Sequence, residues 1–473
     1  MSREEFKPNS TSSNILVVNS KGNLHSFRFS LETVLLLNEK KYNVSFIDLG
    51  HYDPEFSGIR IIKTLLRNIF ETNNYRKAIL KKLYVEKITI IKPRFNYIHL
   101  CETYLFSFVR IFFGKELKIS KKELIPINSW VATRVGHTKY EWSTKNRYTA
   151  YQALVAIKKT ELVLNNLLKK YKYDYIYTFN GRFPVDSSVL LICESNRIPY
   201  YVYDGGALSN DNYNRIQYFR TSPHNLSEIK EKVNKYWDSE SEYTRETVAL
   251  NTLQDLVRGK RTLGSSSNWI KNHNSLNFQA NWSKTVVYFS SSDWEQGAIS
   301  KWKSKLGFLN QFEAVEQLYN ACTELGLDLM IKTHPILKNY RGKRSESAEM
   351  QVWNKFAEDK KVTVLGIGDY SISPYELMNK AKVNVCFKTS LSAQAMYLRK
   401  KVIILTDTLW RSDSLNANYA DNYDQILNQL NYFLETKAVE YNLLPVYKWA
   451  YYQSTHGARM KFSDFHSGKF KIL

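Results

Sequence analysis

The chain is poor in cysteine, with four in 473 residues. Cys101, Cys193, Cys322 and Cys386 are scattered, and no two have metal-ligand spacing. That pattern offers neither a disulfide framework nor a zinc cluster, and a reduced, cytosolic setting is the simplest account. Long apolar runs are missing too. The longest candidate, Tyr104 to Phe113, is too short to span a bilayer and contains Arg110. Residues 1–13 are polar and lack the apolar stretch of an export signal. No GxGxxG follows the first strand, so no dinucleotide fingerprint is expected. No DxD pattern and no histidine pair suggests a bound metal.

Acidic residues are also in short supply, 45 against 67 lysines and arginines, giving a formal charge of +22 and a pI near 9.5. Such an excess points to anionic partners: nucleic acid, an acidic membrane surface or phosphorylated substrates. A solvated lysine-rich surface explains part of it. What the chain has in plenty is aromatic side chains, with 33 Tyr and 24 Phe, and a 43% hydrophobic fraction that excludes disorder. Its length is too great for one ordinary core, so two domains are expected.

The first half opens as a βαβ unit. Asn14–Asn19 (NILVVN) reads as a strand, residues 27–40 as an amphipathic helix, and Tyr42–Leu49 as a second strand. Residues 59–84 form a basic amphipathic segment. Ile62, Leu65, Leu66 and Ile69 recur at helical spacing, flanked by Arg60, Lys63 and Arg67, with Arg76, Lys77, Lys81 and Lys82 beyond. A helix of this kind lies on an anionic membrane, or packs on a core with a solvated face. The aromatics of 104–113 would serve as an anchor in the first case and as core in the second. After a long helix over 148–171, the strand Tyr175–Phe179 ends in Asn180, Gly181 and Arg182. The strand Tyr200–Tyr203 ends in Asp204, Gly205 and Gly206. In a parallel sheet both ends line one crevice.

Residues 223–276 are polar and helical, with no strong strand, and read as a bridge. A second α/β series follows, and its strand exits carry the polar residues. Thr285–Phe289 leads into Ser290, Ser291, Ser292 and Glu295, and Leu327–Lys332 into Thr333, His334 and Pro335. Val362–Leu365 leads to Tyr370, Ser371 and Ser373, with Pro374 at a helix start and Glu376 beyond. Val383–Phe387 leads into Lys388, Thr389, Ser390 and Ser392, then an Ala-rich helix to Arg399 and the strand Val402–Leu405. Hydroxyls and a lysine where a strand turns into a helix make a seat for a phosphate, and equally an ordinary N-cap. Lys332, His334 and Lys388 suit a diphosphate. Glu295 and Glu376 suit hydroxyls or base edges. Asp204 and Glu295 would supply carboxylates from opposite halves, or cap helices.

The stretch KTHP (332–335), followed by 362–405 with its Ser-Pro-Tyr-Glu-Leu helix start and Thr-Ser loop, resembles bacterial capsule and lipopolysaccharide glycosyltransferases of the GT-B fold. The similar branch includes the capsule Kdo transferases and, more distantly, the CDP-glycerol glycerophosphotransferases. The clear resemblance covers about 284–406; the first half matches in outline. It implies an α/β fold of two Rossmann-like domains facing across a cleft. The expected division is 1–222 for an acceptor domain with a basic helical insertion (about 55–145), 223–283 for a helical linker, 284–437 for the nucleotide-sugar domain, and 438–473 for a tail crossing back.

The resemblance implies that His334, Thr389 and Ser390 contact the donor phosphates and that Gln394 approaches the donor, where many GT-B enzymes place Glu. The donor set is then Ser291, Ser292, Lys332, Tyr370, Ser371, Ser373, Glu376, Lys388, Thr389, Ser390 and Gln394. Asn180 and Arg182 would hold the acceptor, and Asp204, His334 and Glu295 would carry catalysis. No metal or cofactor is expected beyond the nucleotide-sugar donor. The partners would be that donor, a glycan or lipid-linked glycan acceptor and an anionic membrane surface, with no nucleic acid. The location would be cytoplasmic, peripheral on the inner membrane face. The competing readings are a polyol-phosphate transferase using a CDP-activated donor, a sugar-nucleotide epimerase of similar fold, and a non-catalytic basic binding protein.

Overall fold

The computed structural model describes residues 13–20, 24–50, 83, 88–91, 97–113, 121–135, 143–206, 215–221, 225–260, 279–292, 307–308, 310–334, 337, 348–366, 372–411, 418–466 and 469–472. The chain forms two compact units. Unit 1 comprises Met1–Arg134, Glu141–Glu228 and Thr455–Leu473; unit 2 comprises Val135–Tyr140 and Ile229–Ser454. The α/β class expected from the sequence is the class observed.

Unit 1 is built on β1 (Asn14–Asn19), β2 (Asn43–Asp48), β3 (Thr89–Ile91), β4 (Tyr175–Phe179) and β5 (Tyr200–Gly205), all parallel, in the order β3-β2-β1-β4-β5. Two antiparallel strands extend the far edge: β6 (Arg215–Phe219) and the two-residue strand Ala458–Arg459. The unbroken apolar run of β1 has a physical cause. Ile15 and Val17 pack into one buried cluster, while Leu16 and Val18 pack into another on the opposite face. A strand covered by helices on both sides needs apolar side chains at every position. The chain end is pinned to this unit. Arg215 donates to the carbonyls of Thr455 and Gly457 at 2.9 and 3.1 Å, and the backbone N–H groups of Lys461 and Phe462 donate to the buried carboxylate of Glu32.

Unit 2 has a five-stranded parallel sheet in the order β11-β10-β7-β8-β9. Its strands are β7 (Thr285–Phe289), β8 (Asp328–Lys332), β9 (Thr363–Leu365), β10 (Val383–Cys386) and β11 (Val402–Ile404). Every residue of β7 is buried, as befits the central strand. The stretch read as a bridge supplies the helices Leu226–Asp238 and Glu242–Val257, whose Trp237, Leu253 and Leu256 lie in the core of unit 2.

Numbered within each unit, both sheets have the same strand order, 3-2-1-4-5. The order reverses between β1 and β4 in unit 1 and between β7 and β10 in unit 2. In open parallel sheets ligands bind outside the carboxyl ends of the strands at that reversal. Three cysteines are buried in the two cores, and burial pushes the Cys193 and Cys322 thiols up to about 12, so they stay protonated packing groups.

Candidate functional site

In unit 2 the exit of β7 is a run of three buried serines, Ser290 to Ser292. Consecutive residues leaving a strand point to opposite sides, and the first two reach different neighbours. The Ser290 hydroxyl accepts the backbone N–H of His334, at the exit of β8, at 2.9 Å. The Ser291 hydroxyl accepts the backbone N–H of Lys388, at the exit of β10, at 2.9 Å. Ser290 and Ser291 therefore tie both flanking exits to the central strand at the point where the sheet order reverses. The Ser292 hydroxyl finds no partner among the described residues.

Behind this loop lies a buried amide. Gln311, at the start of the helix Gln311–Glu324, accepts the Ser291 N–H at 3.1 Å, and its amide N–H groups donate to the Ser291 carbonyl at 3.1 Å and to Glu349 at 2.9 Å. Gln311 and Glu349 are 1% and 0% exposed, so they shape the loop from inside and cannot reach a ligand. Neither was legible in the sequence, where Gln311 looks like any first-turn residue.

Charge at the site differs from what residue types alone suggest. Burial pushes the Lys388 ammonium down to about 8, partly offset by the carboxylate of Asp407. Burial pushes His334 down to about 4, so its imidazole is neutral at neutral pH and offers a dipole and not a cation. A neutral imidazole can still donate a hydrogen bond to a phosphate, but it adds no positive charge. Lys332 is 6% exposed and its carbonyl accepts the Ser290 N–H at 3.0 Å, so it belongs largely to the sheet. Asp407 follows β11 and pairs with Lys230 at 2.8 Å. It was missed, although the strand-exit rule that singled out the other loops reaches it as well.

Thr389 and Ser390 begin the helix Leu391–Tyr397. Thr389 accepts the Leu391 N–H through its hydroxyl at 3.4 Å, and Ser390 sits at the N-cap without a side-chain cap bond. This helix is only seven residues long, so its dipole adds little to a phosphate seat. Gln394 turns inward, 3% exposed: its carbonyl accepts from Tyr375 at 2.5 Å and its amide donates to the Ser390 carbonyl at 3.2 Å. Tyr375, another residue missed, also lies 2.7 Å from the Leu256 carbonyl. Burial pushes its phenol up to about 12, so it remains a donor. Ser373 caps the helix Pro374–Lys380 by accepting the Glu376 N–H at 3.4 Å, and the half-exposed Glu376 faces Lys380 at 3.6 Å. Glu295, Tyr370 and Ser371 lie outside the described residues.

In unit 1 the sequence Asn180-Gly181 makes a left-handed turn at the exit of β4, with φ of 51° and 74°. Asparagine tolerates this region, and glycine suits position 181 because its φ of 74° strains any side chain, whose Cβ would also press on Leu190 Cδ1 at 2.6 Å. The turn swings the Asn180 amide onto Asp204 at the exit of β5, donating at 2.8 Å. The Gly205 N–H donates to the other carboxylate oxygen at 2.8 Å. Even so, burial pushes Asp204 up to about 6, against the pull of these bonds and of Arg182. Arg182 is held over the Phe183 ring at 4.8 Å and near the Thr133 hydroxyl at 3.4 Å. On the other side of the reversal, buried Asn19 donates to Asp48 at 2.7 Å and accepts from Ser30 at 3.0 Å.

No family model matches the chain, and no curated protein matches it. Among solved structures it is similar to KpsC, the beta Kdo 2,4 transferase of Thermosulfurimonas dismutans, at 11% identity and a TM-score of 0.38, over 59% of this chain and 79% of that one. It is similar to the UDP-GlcNAc 2-epimerase of Methanocaldococcus jannaschii in complex with UDP-GlcNAc and UDP, at 10% identity and a TM-score of 0.28, over 92% and 98%. A glycosyltransferase from Rickettsia africae ESF-5 is similar at 10% identity and a TM-score of 0.25, over 93% of each chain. Likeness at these scores carries no inference about activity.

Proposed function

We propose that the chain is a glycosyltransferase that moves a sugar from a nucleotide-activated donor to a growing surface glycan of the capsule, O-antigen or lipopolysaccharide kind. The observation that carries this reading is the pair of serine ties that fix the backbone of His334 and of Lys388 to the exit of β7, one on each side of it. The sequence resemblance of 284–406 to capsule glycosyltransferases supports it. Lys388, with the neutral His334 N–H, would face the donor diphosphate. As the acceptor hydroxyl attacks the anomeric carbon, the bond from that carbon to the phosphate oxygen breaks. The electron pair stays on the nucleotide, where a preorganised cation and N–H groups stabilise it. The hydroxyl proton would pass to a general base, and Asp204 at the exit of β5, pushed up to about 6 by burial, has the protonation range of one. Asn180 and Arg182 would hold the acceptor beside it. By sequence, the basic segment 59–82, which lies outside the described residues, would attract the enzyme to an anionic membrane where lipid-linked glycans are made.

The test is a thermal-shift screen with CMP, CDP, UDP and GDP and their sugar conjugates. One nucleotide class is expected to raise the melting temperature in proportion to the logarithm of its concentration above Kd. Lys388→Met is expected to abolish that rise. No response to any nucleotide, or an equal response in the variant, sinks the reading. A bound nucleotide sugar converted to its epimer without an acceptor would move the assignment to an epimerase.

A further inference from the structure

The helix Tyr97–Phe112 of unit 1 is built inside out. The stripe it turns toward the protein carries Ser107, fully buried, and Ile111, 1% exposed. The side turned to solvent carries Leu105 (66% exposed), Phe106 (53%), Val109 and, just past its end, Phe113 (72%). A helix covering a core in water does the reverse, with its apolar stripe inward. The rings also pack on one another: Phe108 lies 5.9 Å from Phe113 and 4.8 Å from the half-buried Phe112, and Phe108 and Phe112 both border Tyr151. This is one contiguous apolar face, not scattered exposure.

Cations frame that face. The Arg110 guanidinium sits 5.0 Å from the Phe106 ring, and the Lys159 ammonium sits 4.5 Å from the Tyr104 ring and donates to its hydroxyl. Arg147 donates to the Phe112 carbonyl at 3.3 Å, at the end of the helix. The carboxylates nearby are Glu102 on the helix itself and Glu123, 3.7 Å from Arg110 and also paired with Lys158 at 2.6 Å. Aromatic side chains bordered by arginine and lysine match the boundary between acyl chains and phosphate headgroups. The +22 charge of the whole chain is complementary to an anionic leaflet. No helix among the described residues is long and apolar enough to cross a membrane.

We propose that the outward face of Tyr97–Phe112, continued by Phe113, docks on an anionic lipid bilayer, with the helix lying in the plane of the interface. This deepens the peripheral-membrane part of the reading above and is tested without reference to transfer. The full chain is sedimented with vesicles of phosphatidylcholine mixed with phosphatidylglycerol, and with phosphatidylcholine alone. Wild type is expected to bind the mixed vesicles, less so at high salt. The triple variant Phe106→Ser, Phe108→Ser, Phe113→Ser is expected to bind at least ~tenfold more weakly. Its nucleotide thermal shift should be unchanged, which separates failure of docking from failure of the proposed activity. A single Phe106→Trp variant, which leaves the face apolar, should show a blue-shifted emission quenched by brominated lipid. Vesicle binding unaltered in the triple variant, absent in wild type, or unaccompanied by quenching in Phe106→Trp overturns the proposal. A concentration-dependent dimer lost in the triple variant, without vesicle binding, gives the face to a second copy and overturns it too.

Discussion

Asp204 and Lys388 are each displaced toward neutral pH by burial, the carboxyl up to about 6 and the ammonium down to about 8. If they act as base and phosphate ligand, kcat/KM should rise through about pH 6 as Asp204 ionises and fall above about pH 8 as Lys388 loses its proton. His334 titrates near 4 and should add no limb between them. A flat profile from pH 5 to 9 would contradict both assignments. Asp204 also affects stability. Its folded value lies above the unfolded 3.8, so it favours the fold below pH 4 and that contribution is lost as pH rises through about 6. Asp204→Asn should therefore melt higher than wild type at pH 7.5, by an equivalent of ~1–3 kcal/mol, and no higher at pH 4, while losing transfer. A variant that melts lower at pH 7.5 would make the carboxylate structural. At this scale the sequence was readable wherever conformation follows from residue type. Asn180-Gly181 reads as a turn because few other pairs adopt it. Protonation did not read, because it depends on burial: the same histidine would be half charged near pH 6.5 in water. Nor did the inward turn of Gln394, which Tyr375 imposes from another helix.

The loops at the sheet reversal take their shape from the elements behind them. Ser290 and Ser291 replace solvent as acceptors for the N–H groups of His334 and Lys388. Removing one hydroxyl leaves a half-buried N–H unpaired, a cost of ~1–3 kcal/mol placed on the loop and not on the core. Ser291→Ala is thus expected to weaken nucleotide binding ~tenfold while kcat at saturating donor changes little. Titration calorimetry with the nucleotide found in the screen would measure this, and unchanged affinity would mean that the tie does not set the site. Strands β1, β2, β4, β5 and β7 to β11 were legible because buried parallel strands are short apolar runs between turn residues. The three-residue β3 was not, because it lies just past a long basic segment with helical spacing. β6 was missed although Ile216 and Tyr218 alternate inward. The two-residue Ala458–Arg459 is too short to carry any period, and pairing with β6 creates it.

For the whole molecule, the order of strands was the feature least accessible to a reading of the chain. Pairing β1 with β4 joins residues more than a hundred positions apart, and no local pattern encodes it. What the sequence did carry was the gathering of polar residues at strand ends. The observed order explains why the exit of β7 meets those of β8 and β10, through Ser290 with His334 and Ser291 with Lys388. The excess of positive charge acts at the same scale. It favours anionic ligands over the whole surface, so a site must be separated from general attraction by a variant that alters one group among 67 lysines and arginines. The most direct measurement is titration of the bound nucleotide class at pH 7 and pH 9, for wild type and Lys388→Met at fixed salt. Wild-type affinity is expected to fall from pH 7 to pH 9 by up to ~tenfold as Lys388 deprotonates, and the variant to be weak at both. Equal affinity in the variant, or no loss in wild type at pH 9, would contradict this expectation.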